Sequence, residues 1–80
     1  MADDHNDNEV LLDVREMLAR GEEPFSLIMS TVADLRGRSL LLVSPFEPTP
    51  LLGVLGSQGF GYDVEKVSET EYRTRFVEAF

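Results

Sequence analysis

Four aliphatic residues in succession, Leu40, Leu41, Leu42 and Val43, stand between a turn at Arg36-Gly37-Arg38 and the proline-rich Pro45-Phe46-Glu47-Pro48-Thr49-Pro50. The run is far short of the ~20 apolar residues that span a bilayer. As a strand it is apolar on both faces, which marks a segment with neighbours on either side. The chain must build a sheet around it, and its 80 residues supply material for one core only.

The flanking segments supply the neighbours. Val10 to Arg15 alternates, with Val10, Leu12 and Val14 on one face and Leu11, Asp13 and Arg15 on the other, which is strand periodicity. Pro24 suits the first position of a helix, because its fixed φ fits and its missing N–H has no intrahelical partner to lose. From there Phe25, Ile28, Met29, Val32 and Leu35 repeat at helical spacing and Ser26, Ser30 and Asp34 are left for water. Glu22 and Glu23 precede this helix, where negative charge meets the positive end of its dipole.

After the central strand, Thr49 is a fitting N-cap and Pro50 a fitting first residue for a short helix reaching about Gln58, with Gly59 as its left-handed stop. Gly53 and Gly56 weaken that helix by roughly 1 kcal/mol each relative to alanine, and the expected return is a close approach of its backbone to the sheet. The last segment is a hairpin whose register follows from parity: Phe60, Tyr62 and Val64 share a face, as do Tyr72, Thr74 and Phe76. With the turn at Ser68, Glu69 and Thr70, Tyr62 lies opposite Phe76 and Val64 opposite Thr74, while Asp63 meets Arg75 and Glu65 meets Arg73.

The expected fold is therefore α+β, a two-layer α/β sandwich of order β-α-β-α-β-β, with two helices on one face of a mixed four-stranded sheet and the other face open. Either Leu40 and Leu42 or Leu41 and Val43 point to that open face, where they offer a weak dimer contact on an expected monomer. Residues 1–8 are expected to form a flexible acidic tail ahead of a single domain over residues 9–80, because nothing after Met1 and Ala2 in that stretch would anchor it.

Several chemistries drop out. The chain has no cysteine, which removes disulfides, thiolate nucleophiles and cysteine-bound metals. Its one histidine, His5, lies in the acidic stretch with Asp3, Asp4 and Asp7, where a solvated residue is the better account than a metal ligand. Serines without an imidazole base form no triad. Gly56, Gly59 and Gly61 have the reverse of dinucleotide-loop spacing. A net charge of −8, with the cations scattered, disfavours nucleic acid and anionic membrane. No catalytic residue, cofactor or metal is assigned, and a cytoplasmic location is the expectation.

Leu11-Leu12-Asp13-Val14-Arg15, the Pro48-Thr49-Pro50-Leu51 stretch after the second strand and the Gly59-Phe60 entry to the hairpin together resemble the small TusA-like (SirA-like) domains. The likeness is greatest to their uncharacterised relatives, the domain-of-unknown-function family 2249, and spans about Leu11 to Val77. The resemblance implies the TusA-like fold. In the sulfur carriers of that group a Cys-Pro-x-Pro motif opens the first helix; here Gly21-Glu22-Glu23-Pro24 stands in its place, so sulfur transfer is not implied. The relatives without the cysteine imply an accessory role near redox, iron or nitrogen-oxide metabolism.

The expected function is a small non-enzymatic binding or interaction module with a protein partner. Two contact surfaces are candidates: the loop end with Gly21, Glu22, Glu23, Pro24, Glu47, Pro48 and Pro50, and the open sheet face with Asp13, Arg15, Asp63, Glu65, Arg73 and Arg75. The alternative is an enzyme or carrier working through carboxylates or a bound cofactor, without thiol chemistry.

Overall fold

A computed structural model of the chain describes residues 8–78. The elements are β1 (Glu9–Asp13), α1 (Arg15–Ala19), α2 (Phe25–Ala33), β2 (Ser39–Ser44), α3 (Thr49–Ser57), β3 (Phe60–Ser68) and β4 (Glu71–Glu78). They form the expected mixed four-stranded sheet, in the order β1-β2-β4-β3, with β1 parallel to β2 and both β2 and β3 antiparallel to β4. The doubly apolar Leu40–Val43 run does sit centrally, between β1 and β4.

Parity decides which face is packed. Leu40, Leu42 and Phe76 are fully buried and join Ile28, Leu51, Leu52, Leu55 and Phe60 in one core, with Val10, Leu12 and Val64 packed against it. Leu41 and Val43 therefore face the open side, together with Leu11, which is 66% exposed. The hairpin pairs Tyr62 with Phe76, Asp63 with Arg75, Val64 with Thr74 and Glu65 with Arg73, the register that parity predicts, and a bulge interrupts it between Lys66 and Ser68.

Five local expectations are corrected. Among the described residues there are three helices, because the segment after β1 folds into the short α1. Asp13 accepts a hydrogen bond from the Arg15 N–H (3.0 Å) at its start. At its end the Glu22 and Gly21 N–H groups reach the Met17 and Leu18 carbonyls (both 3.0 Å), with Gly21 at φ +79; this is a Schellman closure, which favours glycine at the left-handed position. The first strand accordingly ends at Asp13 instead of Arg15.

The N-cap of α3 is Pro48, not Thr49, which lies inside the helix and makes no side-chain cap. Phe25, expected on the buried face of α2, is 44% exposed, because the core-facing stripe begins one turn later at Ile28. Gly53 and Gly56 are not required by close packing: a Cβ at Gly53 would meet nothing within 4 Å, and one at Gly56 would meet only Tyr62 Cε2 at 3.6 Å, an ordinary contact. Gly59 does adopt the left-handed backbone expected of it, with φ +96.

Of the stretch expected to be a tail, residues 1–7, including Asp3, Asp4, His5 and Asp7, lie outside the described residues. The Asn8 carbonyl accepts from the Ser39 N–H at 2.8 Å.

Candidate functional site

The two proline-bearing loops, after α1 and after β2, meet at the same end of the sheet, where the chain leaves the C-terminal ends of β1 and β2. Between them lies an apolar pocket of about 150 Å³. Its walls are Pro24, Phe25 and Ile28 from the start of α2, Phe46, Pro48, Pro50 and Leu51 from the loop into α3, and Val14, Leu18 and Leu42. No lining side chain carries a titratable or hydrogen-bonding group. Ser44 Oγ donates to the Phe46 carbonyl at 2.7 Å, which fixes the loop on which Phe46 stands. Phe25 and Phe46 line the pocket yet expose 44% and 51% of their surface, so they form its rim.

Of the loop-end candidates, Pro24, Pro48 and Pro50 come together in this pocket, whereas Gly21, Glu22, Glu23 and Glu47 stay outside its lining. Gly21 closes α1. Glu22 is held by Arg20, whose Nε donates to Oε2 at 3.0 Å, and this contact keeps its carboxyl below the usual range. Glu23 accepts from the Phe25 N–H at the start of α2, so one of the two acids serves the helix start as expected while Glu22 pairs with Arg20. Glu47 is exposed between two lining residues.

The sheet-face candidates divide into two patches. Asp63, Glu65, Arg73 and Arg75 surround Leu41 in a shallow depression of about 100 Å³. Asp13 and Arg15 border a broad open depression with Glu16, Pro45 and Thr70. The charges are tied to other partners than the register alone suggests: Arg75 Nε donates to Glu9 at 2.7 Å, Arg73 Nε to Glu71 at 2.8 Å, and Arg15 Nη2 to Asp13 at 2.8 Å. The Arg15 hydrogen bond is the main reason that the Asp13 carboxyl lies below its ordinary value.

Sequence reasoning missed the pocket's aromatic rim and its floor of Val14, Leu18, Ile28, Leu42 and Leu51. The available signal was an aromatic beside a proline in each loop, Pro24-Phe25 and Pro45-Phe46. Among the described residues no three acidic or histidine side chains converge to hold a metal ion, and no helix is long and apolar enough to cross a membrane.

The family model described as an uncharacterized conserved protein (DUF2249) matches residues 11–78. No curated protein and no solved structure matches the chain.

Proposed function

The chain belongs to the DUF2249 family, and on that footing we propose that it is a non-enzymatic interaction module whose loop-end pocket takes one apolar side chain of a protein partner. The observation that carries this reading is the pocket's wholly apolar lining together with its size. Cavities for cofactors and drug-sized ligands run to roughly 300–1,000 Å³, while an apolar cavity near 150 Å³ suits a benzene-sized group; at about 150 Å³ this one fits a single Leu, Met or Phe side chain. An apolar anchor in a desolvated pocket is how small interfaces concentrate their binding energy.

A carboxylate-dependent enzyme or carrier gains no such support, since Glu22 and Glu23 are engaged by Arg20 and by the α2 backbone and none of the acids lines the cavity. The accessory role implied by the resemblance fits a module of this kind, with a redox or metal protein presenting the anchor.

Titration of the protein with N-acetyl-leucinamide and N-acetyl-phenylalaninamide, followed by amide and methyl NMR shifts, tests the reading. Shifts confined to Leu18, Phe25, Ile28, Phe46 and Leu51 are expected. Shifts spread evenly over the surface, or centred on the β3–β4 hairpin, would refute it.

A further inference from the structure

We propose that the partner segment seated in this pocket is cationic, an aromatic or large aliphatic anchor flanked by Lys or Arg; this rests on the pocket reading above. The rim is acidic on both loops. Glu22 and Glu23 run directly into Pro24, and Glu47 lies between the lining residues Phe46 and Pro48. All three are exposed. Arg20, the cation beside the first loop, is shared between Glu22 at 3.0 Å and Glu16 of α1 at 3.6 Å.

Among the described residues Glu47 has no ion-pair partner, and one oxygen of Glu23 is taken by the Phe25 N–H. An apolar cavity whose two loops carry more carboxylates than cations favours an apolar side chain that arrives between positive charges, and the surrounding field both speeds that encounter and rejects anionic competitors.

The other occupants fit less well. A second copy of the chain carries the same net charge of −8, and its cations Arg15, Arg73 and Arg75 are already bound to Asp13, Glu71 and Glu9. The chain's own N-terminal residues bring Asp3, Asp4 and Asp7 against an acidic rim. Both described chain ends also lie at the far end of the sheet: Glu9 pairs with Ser39 and Phe76 with Leu40, whereas the pocket is at the Ser44 end.

Three synthetic amphipathic peptides test the proposal by NMR titration: one of leucine and lysine, its counterpart with glutamate for every lysine, and its counterpart with serine for every leucine. The leucine–lysine peptide is expected to shift the pocket resonances, to bind at least about tenfold more tightly than either counterpart, and to weaken as salt is raised. Phe46→Ala should weaken it by about tenfold, and Glu47→Lys, a surface change that leaves the fold intact, by about threefold. Equal binding of the lysine and glutamate peptides at the pocket overturns the cationic partner and leaves the pocket reading standing. Binding that survives both the serine exchange and Phe46→Ala is unspecific charge attraction and overturns the proposal. Failure of every peptide together with failure of N-acetyl-leucinamide removes the pocket reading as well.

Discussion

Thr74 on β4 stands directly opposite Val64 on β3, wholly buried, and its hydroxyl oxygen has no hydrogen-bond partner among the described residues. On its other side it pairs with Leu42, so the oxygen is enclosed by aliphatic neighbours. A buried hydroxyl without a partner forfeits its hydration for no return, at about 1–3 kcal/mol. Thr74→Val keeps the β-branched shape and removes that cost. It is expected to stabilise the domain by about 1–2 kcal/mol, raising Tm by roughly 4–8 °C per kcal/mol in a chain this small. Urea and thermal unfolding check this, and a less stable variant would mean that the hydroxyl is hydrogen-bonded in solution.

The two glycine classes in α3 and its exit predict opposite outcomes. Gly53 is exposed and helical, and an added Cβ meets nothing within 4 Å, so Gly53→Ala should add about 0.5–1 kcal/mol by restricting the unfolded chain and favouring the helix. Gly59 has φ +96, and Gly59→Ala should remove about 1–2 kcal/mol because a Cβ crowds the backbone there. Unfolding midpoints of the two variants moving in the same direction would contradict the argument.

How much of this was legible in the sequence varied with the length of the repeat. Alternation over Phe60–Val64 and Tyr72–Phe76 is strict on both strands, and a slip of one residue would expose Phe76, so register followed from parity alone. The Leu40–Val43 run indicated a central strand but not its outward pair, because both pairs are aliphatic. Helix α1 was hidden by its length: five residues give no period to detect. Its local markers were Asp13, whose carboxylate accepts from the Arg15 N–H, and the left-handed Gly21 that closes it, and the alternation running to Arg15 masked the first of these. The pocket depends on two loops 20 residues apart in sequence meeting in space, which no local pattern encodes.

The acid side of the stability profile follows from Asp13 and Glu22. The Asp13 carboxyl is lowered first by its hydrogen bond from Arg15, with the Arg15 N–H and the charges of Arg15 and Arg73 acting in the same sense and partial desolvation opposing them; Glu22 is lowered by Arg20. Both folded values lie below the unfolded ones, so each contribution is fully present above the unfolded pKa, about 3.9 for Asp and 4.3 for Glu. It is lost as pH falls through the folded value. Carboxyl NMR titration should place both midpoints below those figures. Arg15→Gln should return Asp13 toward its ordinary value and leave Glu22 unmoved; a common shift of both would point to the net charge of the chain rather than to the local bonds.

Pocket residues divide into those that hold the fold and those that meet a partner, and two alanine variants should separate them. Ile28 is 5% exposed and joins the pocket floor to the core. Ile28→Ala should therefore cost about 2–5 kcal/mol, a large share of what a domain of this size has to lose. Phe46 shows half its surface to solvent, and the loop beneath it is held through its backbone carbonyl by Ser44, a bond that the substitution leaves in place. Phe46→Ala should lower Tm by only a few degrees while abolishing the pocket shifts seen with N-acetyl-leucinamide. If instead Phe46→Ala unfolds the domain as Ile28→Ala does, the exposed ring is part of the core and the pocket loses its claim to be a binding site.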